Sequence, residues 1–182
     1  VSSEFLDSIG KPRNIAEITK ERMRRVAAKI KEENPDYEGD LGFNVFKLDS
    51  SNIKQWDGGS ENLQKSLEDY VNQIKDGRTS MDILYEIMLK SGIQLTADIE
   101  EFEVGENKVL SVENCRLLAC LDKEIKSEAV ADLASKMMEL KNANPDADCM
   151  VLFLDSAFTD SSGKLNMSET LKQNGFSNIR SI

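Results

Sequence analysis

The stretch "DIEEFEVGENKVLSVENCRLLACLD" (98–122) decides the fold, because two kinds of strand pattern meet within it. Its first part contains short apolar segments separated by turn-forming residues at 105–107 and 113–114, which predicts an antiparallel meander. Its end, "CRLLACLD", is a continuous apolar run, which is typical of a buried parallel strand. The chain therefore changes from antiparallel to parallel pairing within these residues.

The remainder of the C-terminal half alternates helices with apolar strands. A helix over 127–142, a strand at 149–154, a helix over about 164–174 and a strand in "NIRSI" (178–182) are predicted. Together with the strand at 115–121, this order predicts a β-α-β-α-β unit whose strands lie side by side. We expect an α/β fold: a mixed sheet with an antiparallel meander and a C-terminal β-α-β-α-β unit, preceded by a basic N-terminal helix.

The N-terminal half predicts further helices and one strand. Residues 14–33 carry apolar side chains at helical spacing and end at "NPD" (34–36), so they predict an amphipathic helix. "GFNVFKLD" (42–49) alternates apolar and polar residues and predicts a strand. A second amphipathic helix is marked by Leu63, Leu67, Val71 and Ile74.

A third helix of this half is predicted to be capped by Ser80 and closed by Gly92. The domain boundary is predicted after residue 36. Residues 1–36 are then an N-terminal arm with the basic helix, and residues 37–182 are a single α/β domain.

The charge of the chain is unevenly distributed. The net charge is −10, but residues 11–31 hold eight Lys or Arg and two Glu, a local charge of +6, which leaves −16 for the rest. Arg22, Arg25 and Lys29 recur on the predicted helix at a spacing that places them on one side. They form either a solvated basic face or a surface that contacts a DNA backbone or an acidic partner.

Several catalytic sites are excluded by residues that the chain lacks. It has no histidine, which removes Ser-His-Asp and Cys-His nucleophile activation and zincin-type metal sites. No two glycines are spaced G-x-G, and the three prolines lie far apart. A dinucleotide-binding turn, the F-x-G-x-G loop of an AdoMet-dependent methyltransferase and a D-P-P-Y catalytic loop are therefore all absent.

The cysteines and the hydropathy indicate the cellular setting. Cys115, Cys120 and Cys149 are odd in number and lie in apolar stretches, which indicates buried free thiols in a reducing compartment. No apolar run is long enough to span a membrane, and the first residues do not resemble an export signal. We expect a cytoplasmic protein that has no membrane partner.

Two loops are candidates for a site. "VLFLDSAFTDSSG" (151–163) places Asp155 at the end of an apolar strand, and Asp122 ends the preceding one, so a small Asp-dependent hydrolase or phosphatase would use this pair. "DSSN" (49–52) has neither a glycine nest nor a lysine, which argues against a phosphate or metal loop. Turn hydrogen bonds from Asp49, Ser50 and Asn52 explain its composition, with Trp56 as an anchor.

A family resemblance extends over most of the chain. "ERMRRVAAKIKEE", "GFNVFKLDSSNIKQWD", "DILYEIMLKSGIQLT", "CRLLACLD" and "VLFLDSAFTDSSGKLNMSETLKQ" follow one another in the order found in the C-terminal part of the modification (Mod) subunit of type III restriction-modification systems. The chain resembles that part from about Ile15 to Ile182. The stretches "FKLDSSN" and "LYEIMLKSG" are the most specific.

The resemblance implies a parent protein that is a site-specific DNA methyltransferase. It would transfer a methyl group from S-adenosyl-L-methionine (AdoMet) to the N6 amine of adenine, and would pair with a second Mod and with a translocating Res subunit. The family's catalytic, cofactor-binding and target-recognition regions lie upstream of the segment that this chain resembles. The chain alone is then a non-catalytic assembly domain without a cofactor, and it reaches DNA only through the intact subunit. A free-standing regulatory adaptor is the alternative outside the enzyme class.

Overall fold

The computed structural model describes residues 2–54 and 74–182. The chain divides into two compact units, Val1–Leu48 and Asp49–Ile182. Residues 37–48 are grouped with the N-terminal unit, whereas the sequence predicted a boundary after residue 36. The domain boundary after residue 36 therefore remains a prediction.

The N-terminal unit contains two helices, α1 (Ser2–Ser8) and α2 (Ile15–Glu33). Helix α2 begins and ends where the sequence predicted. The Asn14 side chain caps its start by accepting a hydrogen bond from the Glu17 backbone N–H at 2.8 Å, and Asn34 caps its end. No residue of α2 is buried, although one side of the helix is apolar. Helix α1 was not predicted from the sequence.

The predicted strand at 42–49 is wrong. Residues 40–49 have no helical or strand structure, and the side chains of Val45, Phe46 and Leu48 are exposed. An alternating pattern supplies one apolar face, but a strand also needs a neighbouring strand to pair its backbone N–H and C=O groups. No described residue pairs with 42–49 in this way.

The C-terminal unit is built on a five-stranded mixed sheet, as the sequence predicted. The strands are β1 (Ile99–Val104), β2 (Asn107–Val112), β3 (Leu117–Cys120), β4 (Met150–Phe153) and β5 (Asn178–Ser181). They lie in the order of the chain. The pairs β1–β2 and β2–β3 are antiparallel, and the pairs β3–β4 and β4–β5 are parallel. All residues of β3 and β4 are buried, in agreement with their continuous apolar runs.

In the described part of this unit, three α-helices accompany the sheet: α3 (Ser80–Lys90), α4 (Val130–Ala143) and α5 (Ser161–Gln173). Helices α4 and α5 are the crossovers of the β-α-β-α-β unit. Helix α4 packs against α5 and against β1 and β2. The core between these elements is apolar, and its largest fully buried members include Leu84, Met88, Leu117, Leu118, Leu133, Met137, Leu152, Met167 and Leu171.

The ends of α3 show which cap signals act. The sequence assigned the cap to Ser80, but the N-cap is Thr79, which forms a capping box with Asp82. The Asp82 backbone N–H donates to Thr79 Oγ1 at 3.2 Å, and the Thr79 backbone N–H donates to Asp82 Oδ2 at 2.8 Å. Gly92 closes the helix as predicted, with a φ of 69° that favours glycine.

The predicted helix marked by Leu63, Leu67 and Val71 lies outside the described residues. Ile74, the fourth residue of that pattern, forms an isolated antiparallel bridge with Ile53.

Candidate functional site

The loop 49–52 is attached to α3 through the carboxylate of Glu86. The Ser51 hydroxyl donates to Glu86 Oε1 at 2.6 Å, and the Asn52 backbone N–H donates to Glu86 Oε2 at 2.7 Å. The Asn52 side-chain amide donates to the same Oε2 at 2.7 Å and to the Asp82 carbonyl oxygen at 2.9 Å. Both oxygens of this carboxylate are therefore used to hold the loop.

The protonation of Glu86 reflects these contacts. Burial alone would raise the pKa of this carboxyl group, because the charged form loses hydration. Hydrogen bonds from Lys90, Ser51 and Asn52 outweigh that effect and lower the pKa to about 2. Glu86 is therefore ionised at neutral pH, and its oxygens are acceptors only. It is not suited to act as a general acid or as a base poised near neutrality.

The residues after the undescribed segment hold the same loop from a second side. Arg78 forms an ion pair with Asp49 at 2.9 Å, and Lys75 Nζ donates to the Ser50 hydroxyl at 3.0 Å. The Lys75 backbone N–H donates to the Asn52 carbonyl oxygen at 2.9 Å. The contacts of Asp49, Ser50 and Asn52 support a structural role for the loop. Trp56, the predicted anchor, lies outside the described residues.

Asp122 connects two neighbouring strands. Its Oδ2 atom accepts a hydrogen bond from the Lys108 backbone N–H at 2.8 Å and one from the Asn107 side-chain amide at 3.1 Å. Both donors lie at the start of β2, whereas Asp122 follows the end of β3. The Asp122 carboxylate therefore links the end of β3 to the start of β2 beyond their last paired residues.

Asp155 also has local partners, on other elements. Lys164 of α5 donates to its Oδ1 atom, and a hydrogen bond from Ser181 of β5 adds to this contact. The Lys164 hydrogen bond, ahead of burial, holds the pKa of Asp155 below its ordinary value. Asp122 and Asp155 share no bonding partner among the described residues, so the contacts do not support a catalytic pair.

A cleft of about 650 Å³ lies at the carboxyl ends of β3 and β4, the edge of a parallel sheet where ligands favour binding. Its wall includes Leu121, Leu154 and Ser156, which follow the two strands, together with residues 74–80. Neither Asp122 nor Asp155 lines it. Two of its cations, Lys75 and Arg78, already hold the loop 49–52.

The three cysteines are buried free thiols, as their apolar context predicted. The Sγ atoms of Cys115 and Cys149 are 2.7 Å apart. Burial raises the pKa of both Cys115 and Cys120, that of Cys120 to about 12. Thiols that stay protonated and lie away from solvent are poor nucleophiles.

The basic residues of α2 do not form one uniform face. Arg25 donates to Glu21 Oε1 at 2.9 Å and its guanidinium lies 4.7 Å from the centre of the Phe5 ring. Lys29 lies 3.5 Å from Glu33. The sequence predicted these three cations on one side of the helix. Arg22 nevertheless lines the same groove as the apolar residues Met23 and Val26.

Glu86, which holds the loop 49–52 on α3, was not predicted from the sequence. Its signal was a single carboxylate in the apolar run "ILYEIML", between residues that become buried. An acid in such a position indicates that a polar partner lies over it.

Within residues 2–54 and 74–182, no group of three or more Cys, Asp or Glu side chains is arranged to hold a metal ion. None of the helices in this part of the chain has the length and apolarity to cross a membrane. No family model matches the chain, and neither a curated protein nor a solved structure matches it.

Proposed function

We propose that the chain is the C-terminal, non-catalytic assembly domain of a type III restriction-modification Mod subunit. The intact subunit is, in this proposal, an AdoMet-dependent site-specific DNA N6-adenine methyltransferase. The chain packs on the upstream methyltransferase core and provides surface for a second Mod or for the Res subunit. DNA contacts the intact subunit rather than this chain.

The observation that carries the proposal is the exposed apolar surface of the N-terminal unit. Helix α2 is 19 residues long and has no buried residue. Ile15 and Leu48 are 81% and 94% exposed. Large apolar side chains that remain open in one part of a chain are typical of a surface that another polypeptide covers. In this proposal, the methyltransferase core is that polypeptide.

Three further features support a role without catalysis. The candidate carboxylates Asp122 and Asp155 are engaged in local contacts, and the carboxylate of Glu86 holds a loop. The sequence lacks the glycine and proline motifs of the methyltransferase family. The C-terminal unit has 24 acidic and 14 basic residues, so its charge repels a DNA duplex.

The reading frame upstream of Val1 gives the first test. A continuous frame that encodes a D-P-P-Y loop and an F-x-G-x-G loop is expected. A start codon a few residues before Val1, with neither loop encoded, would contradict the Mod proposal and favour a free-standing adaptor.

Cofactor binding gives a second test. Isothermal titration calorimetry of the 182-residue chain with AdoMet should give no binding heat, because the loop that holds the cofactor in this family is absent. The complete gene product serves as the positive control. Binding of AdoMet to the isolated chain at micromolar affinity would show that the chain carries a cofactor site after all.

The basic residues of α2 give a third test. We favour subunit contact over DNA contact for Arg22, Arg25 and Lys29, because the acidic remainder of the chain repels a DNA duplex. Replacing all three by alanine in the complete gene product should weaken assembly and leave the salt dependence of DNA binding unchanged. A lower DNA affinity with a flatter salt slope, in an intact oligomer, would show that these residues contact phosphates instead.

A further inference from the structure

One side of α2 carries an apolar seam with the spacing of a coiled coil. Thr19, Met23, Val26 and Ile30 follow one another at intervals of four, three and four residues. This spacing is that of the a and d positions of a heptad, which a partner helix fills with its own side chains. The four residues line one groove of about 360 Å³, and Leu41 forms part of its wall.

The seam is open to solvent in this unit. Met23 and Val26, at its centre, are 45% and 57% exposed. The distance from Thr19 to Ile30 along the axis is about 17 Å, or three helical turns. A partner helix of about three turns therefore matches the length of the groove.

The charges beside the seam identify the kind of helix that fits. With Met23 and Ile30 as a positions, Arg22 and Lys29 occupy g positions and Lys20 occupies an e position. No acidic residue of α2 occupies an e or g position in this register. The e and g positions face the corresponding positions of a partner, so acidic residues there are favoured.

Lys20 is held by Glu17, with side chains only 23% and 13% exposed, whereas the charges of Arg22 and Lys29 remain available. Lys29 and Glu33 lie 3.5 Å apart with side chains 71% and 59% exposed, and such exposed pairs are weak. Arg22 makes no ion pair with any residue in the described ranges. In an antiparallel second copy of α2, the g-position cations Arg22 and Lys29 would face their counterparts along one edge of the seam, which disfavours that pairing of the helix with itself.

We propose that the groove of α2 binds an acidic amphipathic helix of a partner polypeptide, with apolar residues at its a and d positions and Asp or Glu at its e and g positions. This proposal rests on the proposed function, because an assembly domain requires a partner. It specifies that partner by its chemistry. The seam is short, so the isolated contact is weak, and it gains strength when larger surfaces bind at the same time.

Two synthetic peptides test the proposal against the complete 182-residue chain. Both have 21 residues with Leu at the a and d positions. One carries Glu and the other Lys at the e and g positions, and a scrambled Glu peptide is the control. Fluorescence anisotropy at about 50 mM salt should give a dissociation constant for the Glu peptide that is at least about tenfold lower than that for the Lys peptide. The difference between the two dissociation constants should shrink at about 500 mM salt.

Three variants locate the binding site. Val26→Asp should abolish binding of the Glu peptide, because it places a charge in the centre of the seam. Arg22→Glu combined with Lys29→Glu should reverse the preference toward the Lys peptide. Lys31→Glu is the matched control on the same helix, outside the groove of the seam, and should keep the original preference. Circular dichroism checks that each variant retains its helical content.

The outcomes separate this proposal from the proposed function. Equal binding of the Glu, Lys and scrambled peptides, or no binding of the Glu peptide, would overturn the acidic-helix proposal. A chain that sediments as a dimer without peptide, and as a monomer with Val26→Asp, would assign the groove to a second copy instead. Neither result depends on the upstream reading frame or on AdoMet binding, which test the Mod assignment alone.

Discussion

Replacing Glu86 by glutamine removes the negative charge that holds the loop 49–52 on α3 while it keeps the size of the side chain. The Glu86 side chain is only 13% exposed, and four hydrogen bonds from Ser51, Asn52 and Lys90 reach its two oxygens. Glutamine offers one acceptor oxygen in place of two, and it adds an N–H₂ group where the loop presents only donors. At least one donor then loses its partner.

The magnitude follows from the pKa of Glu86. A decrease from 4.5 to about 2 on folding corresponds to roughly 3 kcal/mol of stabilisation at neutral pH. Lys90, which donates to Glu86 Oε1, is 56% exposed, so solvent screens its share. We therefore expect Glu86→Gln to lower the free energy of unfolding by about 1–2 kcal/mol at pH 7.

The pH dependence has a definite sign. Because the folded pKa is lowered, the stabilisation is complete above the unfolded value of 4.5 and is lost as the pH falls toward 2. The difference in stability between wild type and Glu86→Gln should therefore fall to about half or less at pH 3. Other carboxylates titrate in both proteins and cancel in this difference.

Urea unfolding followed by circular dichroism measures the effect at both pH values. Glu139→Gln is the matched control, because Glu139 pairs with Lys136 on α4 and is 68% exposed. It should change stability by less than about 0.5 kcal/mol. The reasoning is refuted if Glu86→Gln is as stable as wild type at pH 7, or if its deficit persists unchanged at pH 3.

Other substitutions test the core, a helix end, a candidate acid and the thiols. Leu152→Ala in β4 removes a side chain that is 1% exposed and should lower the free energy of unfolding in urea by about 2–5 kcal/mol. Leu165→Ala is the control, because Leu165 is 61% exposed and its loss should change this free energy little. Equal losses in the two variants would contradict the assigned core. Gly92→Ala places a Cβ atom at a φ of 69° and should cost about 1 kcal/mol in thermal unfolding; an unchanged melting temperature would contradict the helix end. In a magnesium-dependent phosphatase screen, wild type and Asp155→Asn should be equally inactive, and activity lost only in the variant would restore the hydrolase alternative. Cys120 should react with Ellman's reagent only after unfolding, because its thiol is buried and its pKa is raised to about 12; rapid reaction in the native state would contradict its burial.

The C-terminal half of the fold was predictable because its signals are redundant. The apolar runs that became β3 and β4 are too continuous for surface strands, and the helices between them allow only parallel connections. The turn at Glu113 and Asn114 was recognised from its composition, and both residues have positive φ. In this half of the chain, the hydrophobic pattern of each segment predicts the same strand or helix that packs in the folded core.

The signals of the N-terminal half were ambiguous for physical reasons. The alternation in 42–49 predicted a strand, but pairing depends on a partner strand that the local sequence does not specify. Ser80 and Thr79 are both capable of capping, and only the acid three residues after Thr79 distinguishes them. Arg22 lies beside the apolar seam because it directly precedes Met23 on the helix.

The polar network around Glu86 was only partly predictable. The turn-forming composition of 49–52 indicated a structural loop, but the carboxylate that binds the loop is 34 residues away from Asn52. Contacts at such a separation depend on the tertiary fold, so the sequence contains an acid within an apolar run but does not indicate the loop that it binds.

We propose that this chain assembles a methyltransferase but does not carry its chemistry. Transfer of a tritiated methyl group from AdoMet to the adenine N6 amine of duplex DNA tests it most directly, with the complete gene product and the 182-residue chain assayed side by side. The account predicts incorporation by the complete gene product and none by the chain. Incorporation by the chain alone, or none by a complete gene product that is folded and bound to AdoMet, would contradict it.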